Sequence, residues 1–406
     1  MKEVITMQPS NMSSNSDRNT RVILLRHGQS TYNALGLYQG SSDPPTLTDL
    51  GCHQAYLAGQ FLKGVEIDAI YSSPLRRAQD TAIAVHQALD YPHTIGISSL
   101  LRETELPAWQ GMPFQQVKEK FPEEYRSWKQ NPHEFQMEIP MKNLSIRGAV
   151  DSSRIATANS QAQVLNRQYC YPAQDLYARV QQFWQQILPC HMGQTILVVS
   201  HGGTNRALVS TALGVKSDRY HTIEQSNCAV SILNFPNGRL ESGTLEVMNY
   251  ATHVDENPIK LKPTSGGWRL LLMSAETNHP EQIQRIEQLL KDIEIDLSMS
   301  GDPDNSRSIV AQILKEHPIV PQLEVRRADF AQLWQQSMSA RANMDSDQLH
   351  TCLVVASDRT LQSFIGQVLN LDPKQCQRLK IKPGTVSSIY YPDTELPPIL
   401  QTMNLQ

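Results

Sequence analysis

The sequence predicts an α/β fold: a three-layer α/β/α sandwich around a mostly parallel central sheet, present twice, complete in the N-terminal half and shortened in the C-terminal half. Three observations predict it. Short apolar runs alternate with stretches of helical periodicity. Residues able to do chemistry stand just past the ends of those runs, where the loops at the carboxyl edge of an open α/β sheet converge. Blocks of the first half recur, in the same order, in the second. At 406 residues the chain also exceeds one typical domain.

Residues 1–19 are polar, rich in Ser and Asn, and lack the apolar centre of a signal peptide, so a disordered tail is expected. Val22–Leu25 is a short apolar run ending in Arg26-His27-Gly28, a buried strand and its loop. Thr48–Lys63 carries Leu50, Leu57, Ala58, Phe61 and Leu62 at near-helical spacing, with Thr48 as N-cap. Ile67–Tyr71 is a second strand ending in Ser72-Ser73-Pro74, and Pro74 suits the first turn of the next helix, where its missing N–H is not needed. Pro113–Trp128 reads as a charged helix, and Leu176–Leu188 as an amphipathic one capped by Asp175. Thr195–Ser200 is a third buried strand, running into His201-Gly202-Gly203 and a helix to Leu213, and Val230–Phe235 is a further strand. Between Met141 and Gln168 the periodicity dissolves into small polar residues. A disordered surface insertion is the favoured expectation, a mobile lid its rival.

The internal repeat divides the chain. Leu62–Asp68 resembles Leu290–Asp296, and Thr195–Val199 resembles Thr351–Val355 at an offset that holds without a gap to Pro236 and Pro392. Arg269–Leu272 then takes the place of Val22–Leu25. The expected organisation is therefore a tail (1–19), a catalytic domain (20–248, with 141–168 inserted), a Pro- and Gly-containing linker (249–267) and a degenerate second copy (268–406).

Composition narrows the function. A formal net charge of −4 gives no global attraction to nucleic acid or anionic membranes, so an anionic ligand must be drawn by a local cation cluster. No apolar stretch reaches the ~20 residues needed to span a bilayer. Six scattered cysteines without a C-x-x-C pair suggest reduced thiols in a cytoplasmic protein, and neither they nor the histidines show metal-ligand spacing, so no metal or cofactor is expected.

Phosphoryl transfer needs a nucleophile in line with the leaving oxygen, cations around the equatorial oxygens and a proton donor for the leaving group. A neutral imidazole is a competent nucleophile, and adjacent arginines disfavour its protonation. Arg26 directly precedes His27 at a strand end, so both can face one pocket, and the guanidinium fork suits phosphate oxygens. A lone R-H-G is weak. It gains weight from Asn33 six residues on, from Ser72-Ser73-Pro74-Leu75-Arg76-Arg77-Ala78 after the second strand, and from Ser200-His201-Gly202-Gly203 after the third.

In that company the sequence resembles the histidine phosphatase superfamily, the group that includes phosphoglycerate mutase-like enzymes, over roughly residues 20–240. The resemblance implies that Arg26, Asn33 and Arg77 bind the substrate phosphate, that His27 becomes phosphorylated, and that Glu103, in Leu101-Arg102-Glu103 before Trp109-Gln110-Gly111, is the general acid and then the base that activates water. His201 is implied as a second pocket histidine. Arg76 and Glu105 are the bland rivals of Arg77 and Glu103, Arg206 either contacts substrate or caps its helix, and His53, His86 and His191 are expected to be structural or exposed. The chain departs from the family at Gln110, at Pro107, and at Ala173-Gln174-Asp175, which bears on specificity and removes no catalytic atom. The L-R-E…W-Q-G segment resembles the phosphatase branch rather than the mutases. The implied activity is hydrolysis of a small phosphorylated metabolite. A phosphoglycerate mutase-type transfer, and a binding protein whose working part is the second copy, are the alternatives.

In the second copy Met273-Ser274-Ala275 stands where R-H-G is expected, Ser357 matches His201, and the second arginine gives way to Asp302-Pro303-Asp304-Asn305. That copy is expected to serve stability, homodimerisation or ligand sensing, not catalysis.

Overall fold

The computed structural model describes residues 19–92, 94–139, 168–254, 266–301, 305–325, 334, 348–392 and 396–406. The expected tail to residue 18, the insertion from 141 to 167, linker residues 255–265 and the acidic segment 302–304 lie outside them.

The first copy begins with β1 (Thr20–Arg26), α1 (Thr31–Ala34), α2 (Asp49–Leu62), β2 (Ala69–Ser72), α3 (Arg76–Ala88) and β3 (Gly96–Ile97). It continues through α4 (Phe114–Lys120), α5 (Pro122–Gln130), β4 (Met137–Glu138), β5 (Tyr169–Cys170), α6 (Pro172–Cys190), β6 (Thr195–Ser200), α7 (Gly202–Leu213), β7 (Val230–Phe235) and β8 (Thr244–Tyr250). The second comprises β9 (Gly267–Ser274), α8 (Pro280–Leu290), β10 (Leu297–Gly301), α9 (Ser306–Ile313), β11 (Gln322–Val325), β12 (Leu349–Ala356), α10 (Asp358–Leu369), α11 (Pro373–Cys376), β13 (Val386–Pro392) and β14 (Ile399–Leu405).

Among the described residues twelve of these strands form one sheet, in the order β11-β10-β12-β9-β13-β14-β8-β7-β1-β6-β2-β3. The two halves of that order are the same list read from the middle outwards. In each, four strands run parallel and two antiparallel strands lead to the junction, where β14 pairs antiparallel with β8. The duplication expected from the sequence is thus present as duplicated topology.

The apolar runs are explained by burial on both faces. Val22 and Leu24 join Ile196 and Val198 in a core with α6 and α7, while Ile23 and Leu25 join Leu197 and Val199 in the opposite core with α2 and α3. That makes the three layers. The α6–α7 core runs on into the second copy through Leu270, Leu272, Val354 and Phe364, so one side of the sheet is a single continuous core.

Pairing corrects the repeat by one residue. Arg21 lies opposite Thr195 and Arg269 opposite Thr351, so Arg269 corresponds to Arg21 and the strand runs one position out of step with the match read from sequence. The second copy therefore has Ser274 in place of Arg26 and Ala275 in place of His27. A run of apolar residues carries no mark of its own register; the hydrogen-bonded partner supplies it.

Local chemistry moves other boundaries. The single helix expected over Pro113–Trp128 is two, because Pro122 has no N–H for the turn before it and its ring drives Phe121 to φ −131° and ψ 53°. α6 opens at Pro172, and Asp175 sits inside its first turn, accepting from the Tyr171 N–H (2.9 Å) rather than capping. Pro74 precedes α3 instead of starting it, since Ser73 Oγ accepts from the Leu75 N–H (3.3 Å) and turns the chain first. β8 has no clean alternation in sequence because it is paired on both sides, and its Glu246 is satisfied by Arg21 (2.9 Å) and Lys382 (2.7 Å). Asn249 and Tyr250, expected in the linker, close β8, and Gly267 opens β9. No helix among the described residues is long and apolar enough to cross a membrane.

Candidate active site

β1 and β6 are parallel neighbours, and each ends in a residue with a buried imidazole just beyond it: His27 after Arg26, His201 after Ser200. Their rings meet with centroids 5.1 Å apart. Gly28 has to be glycine here, since a Cβ would lie 2.3 Å from the Gly51 carbonyl oxygen of α2. The loop is pinned against that helix, and the Gly28 N–H donates to Thr81 Oγ1 (3.1 Å).

His27 Nδ1 lies 2.7 Å from the Gly28 carbonyl oxygen. A carbonyl only accepts, so Nδ1 carries the proton and Nε2 keeps its lone pair. Burial pushes the imidazole well below its ordinary pKa, and the Arg77 and Arg26 guanidinium groups push it further. His201 is lowered in the same way, by burial first and then by Arg77, His27 and Arg26. Its Nε2 lies 2.7 Å from Ser73 Oγ at the end of β2. Two neutral imidazoles therefore stand side by side in a cationic pocket.

Arg77 is fully buried, with Nη1 donating to the Ser42 carbonyl (2.7 Å) and Nη2 to that of Gly40 (2.9 Å). Arg76 points to solvent and pairs with Asp80 at 3.6 Å. The two adjacent arginines are thus sorted by burial, one into the pocket and one out. Arg26 donates from Nη1 to the Gln225 carbonyl (2.6 Å) and packs on Gly202. Burial lowers Arg26 and Arg77 to about 10, which still leaves both charged at neutral pH. Arg26 Nε, Arg77 Nε and His201 Nδ1 are buried without a hydrogen-bond partner among the described residues. Three unspent polar atoms in one pocket, two of them donors on cations, are what an oxyanion would satisfy.

Glu103 reaches the same place from a different part of the chain. Its Oε2 accepts from the Gly203 N–H (3.0 Å) and its Oε1 from the N–H groups of Thr204 (3.1 Å) and Thr104 (2.7 Å). α7 has no side-chain cap of its own at His201, so Glu103 caps it across a hundred residues of sequence. Gly203 is what admits it: a Cβ there would lie 2.4 Å from Glu103 Oε1. Asn33 closes the ring. Its Oδ1 accepts from the Ser30 N–H (3.2 Å) in a capping box and from Asn227 Nδ2 (3.2 Å), which also donates to the His27 carbonyl (2.9 Å).

All six residues picked from the sequence, Arg26, His27, Asn33, Arg77, Glu103 and His201, are brought together. His53 is exposed and His191 is held by Tyr71 and Gln194, as expected of structural histidines. Sequence reading passed over Ser73, Asn227 and the carbonyl of Gln225. Single polar residues on loops carry no period, and a carbonyl carries no residue type. Lys129 also escaped notice. Burial lowers its ammonium to about 8, with Arg206 and Lys118 adding to the effect. Arg206 in turn donates to the Ile223 carbonyl (2.6 Å) and lies over the Tyr220 ring (5.8 Å). Among the described residues no group of three or more His, Cys, Asp or Glu side chains is placed to hold a metal ion.

The corresponding place in the second copy has Ser274, Ala275, Asn305 and Ser357 for Arg26, His27, Arg77 and His201. Ser274 Oγ donates to Asp358, and Asp358 raises the Glu276 carboxyl above its usual range. The charge there is inverted.

The buried histidines make stability depend on pH. His27, His201 and His221 are held well below the ordinary imidazole value, and burial takes His253 to about 4. The unfolded chain takes up these protons near pH 6.5 and the folded one does not, so stability is full above 6.5 and falls as the pH drops toward 4. Each such histidine contributes about 1.4 kcal/mol per pH unit to that slope. Urea denaturation in phosphate-free buffer at pH 7.5, 6 and 5 measures it. His253→Gln is expected to remove one histidine's share, and an unchanged slope would refute its buried neutral state.

Known proteins are similar to the first copy. The sequence profile of the histidine phosphatase superfamily, branch 1, matches residues 22–165 and 154–248, both within the first copy. A 2-carboxy-D-arabinitol-1-phosphatase of Triticum aestivum is 34% identical over 249 residues, covering 61% of this chain and 43% of the relative. Phosphoserine phosphatase 1 of Hydrogenobacter thermophilus is 29% identical, over 58% of this chain and 95% of its own length. A glucosyl-3-phosphoglycerate phosphatase of Mycolicibacterium vanbaalenii is 30% identical, over 49% and 77%. The chain spans less than half the length of the wheat relative it matches. A family profile covering more than half of the chain leads to one conclusion: the chain belongs to the histidine phosphatase superfamily.

Proposed function

We propose that the chain is a phosphomonoester hydrolase for a small metabolite that carries a carboxylate as well as its phosphate, working through a phosphohistidine on His27. The observation that carries this is the pairing of a neutral, Nε2-open His27 with buried, incompletely bonded guanidinium groups of Arg26 and Arg77. Phosphate oxygens take the unspent donors, Asn33 and His201 complete the clamp, and the Nε2 lone pair of His27 attacks phosphorus. Glu103 protonates the departing alkoxide, then takes a proton from the water that attacks the phosphohistidine. Charge neutralisation falls to the guanidinium groups. The second copy, with Ala275 and Ser274 at the decisive positions, takes no part in this chemistry.

The carboxylate follows from the cations beyond the phosphate site. They continue from Arg26 through Arg206 to Lys129 and Lys118, and no carboxylate among the described residues pairs with Lys129. The half-buried Lys129 ammonium, which lies over the Tyr125 ring (5.8 Å), stands beside two other cations, and an anion joining it would relieve that repulsion. The wheat, Hydrogenobacter and Mycolicibacterium relatives are named for 2-carboxyarabinitol 1-phosphate, phosphoserine and glucosyl-3-phosphoglycerate, each a carboxylate as well as a phosphoester.

Phosphate release from phosphoserine, 3-phosphoglycerate and 2-carboxyarabinitol 1-phosphate, set against glycerol phosphate and p-nitrophenyl phosphate, tests the proposal. Lys129→Gln is expected to raise KM for the carboxylated esters about tenfold or more and to leave the others nearly unchanged, as loss of one buried charge partner should. Equal effects on both groups would remove the carboxylate from the proposal. Isomerised phosphoglycerate without free phosphate would replace hydrolysis by mutase transfer.

A further inference from the structure

The contact between the two copies is isologous, as in a two-fold symmetric dimer. Met248 of β8 faces Met403 of β14, its own counterpart, at the centre. On either side the bonds come in matched pairs. Asn249 Nδ2 donates to the Gln401 carbonyl (2.7 Å), and Asn404 Nδ2 to that of Glu246 (2.7 Å). Both asparagines adopt positive φ, 53° and 60°, and their N–H groups donate to Ser231 and Ser387. The Leu400 N–H donates to the Thr222 carbonyl (2.8 Å) and the Leu245 N–H to that of Arg378 (2.9 Å). The Glu224 N–H donates to Leu400 (3.0 Å) and the Lys380 N–H to Leu245 (2.9 Å).

What each side grips is different. β14 holds residues 222–227, whose carbonyls anchor Arg206 (Ile223) and Arg26 (Gln225), and whose Asn227 side chain bridges His27 and Asn33. Asn249 also accepts from the Ser226 N–H (2.6 Å), in the middle of that segment. On the other side β8 holds residues 378–383, where Asn404 accepts from the Lys382 N–H (3.1 Å), and Pro383 stands where the first copy has Asn227. The grip is duplicated and the gripped machinery is not.

We propose that the second copy is an in-chain subunit that positions the phosphate clamp: β14, through its own Leu400 and through the Gln401 carbonyl that holds Asn249 of β8, fixes residues 222–227 and thereby Arg26 and the His27 loop. Asn249 is a positioning residue, not a catalytic one. The proposal rests on the pocket binding phosphate, as argued above.

The pseudo-symmetry supplies the control. Glycine keeps the positive-φ backbone, so Asn249→Gly and Asn404→Gly delete matched bonds from opposite ends of one interface. In the full-length protein Asn249→Gly is expected to weaken inorganic phosphate binding, read by calorimetry, and to lower kcat/KM for p-nitrophenyl phosphate, each by about tenfold. Asn404→Gly is expected to lower Tm by about as much as Asn249→Gly does and to leave both quantities within about twofold. Parallel losses in the two variants, or no loss in either, would overturn the proposal. Leu400→Pro against Leu245→Pro repeats the comparison, with the same expectations, should a glycine variant not fold. Phosphate binding without turnover in the wild type would sink the hydrolase and leave the positioning claim still testable by calorimetry.

Discussion

His27→Ala is expected to release phosphate from p-nitrophenyl phosphate about 10⁴-fold more slowly or worse, with the fold retained. The size follows from what the ring supplies. In the proposed mechanism it gives the lone pair that bonds phosphorus, already aimed by the Nδ1–H bond to the Gly28 carbonyl and already free of a proton because burial and two guanidinium groups disfavour the imidazolium. A water entering the space left by the ring has neither aim nor basicity, while the proposed clamp of Arg26, Arg77 and Asn33 is left in place. KM is therefore expected to change much less than kcat, which separates loss of the nucleophile from loss of the site. Alkaline quench of wild-type enzyme with ³²P-labelled ester should leave acid-labile, base-stable label on protein, and His27→Ala should carry none. Label persisting in that variant, or turnover within about tenfold of wild type, would remove His27 from the centre of the mechanism.

The way this pocket forms explains how much of it could be read from sequence. β1, β6 and β7 are legible because a strand buried on both faces must be a continuous apolar run, and α2 because Thr48 caps it, its hydroxyl accepting from the Gly51 N–H (3.0 Å). Arg26, His27 and His201 are legible for the same reason: the strand ends fix where they point. Arg77 took more than pattern, since Arg76 and Arg77 are chemically the same and only the helix phase of α3 decides which is buried. β8 and β14 were hidden by their own pairing. Where a strand's polar groups are satisfied from elsewhere in the chain, as Glu246 is by Arg21 of β1 and by Lys382 in the loop before β13, the sequence loses its alternation. The same pairing hid the role of residues 222–227, whose contribution is made by carbonyls. Any residue could present them equally well, but only a partner strand holds them still.

Glu103→Gln carries the second large effect, and its size is expected to depend on the substrate. The carboxylate is held by the N–H groups of Gly203, Thr204 and Thr104, with Tyr220 and Thr104 joined by a further hydrogen bond (2.7 Å) behind it. Glutamine is isosteric, and its one oxygen can keep the Thr204 and Thr104 N–H bonds while its NH2 faces the Gly203 N–H, so one bond of the shell is lost together with proton transfer. An alkoxide leaving from a sugar or serine ester needs that proton as the P–O bond breaks, and kcat for phosphoserine is expected to fall about 10²–10⁴-fold. p-Nitrophenolate leaves unaided, so formation of the phosphohistidine from its ester should be nearly unchanged. The second half-reaction still needs a base for water. With p-nitrophenyl phosphate the variant should therefore give a burst of one equivalent of nitrophenolate and then turn over slowly, with labelled phosphohistidine accumulating during the slow phase. Stopped-flow absorbance reads the burst, and alkaline quench reads the label. Slowing by the same factor for phosphoserine and p-nitrophenyl phosphate, with no burst, would mean that Glu103 serves only to cap α7, and the proton donor would have to be sought elsewhere in the pocket.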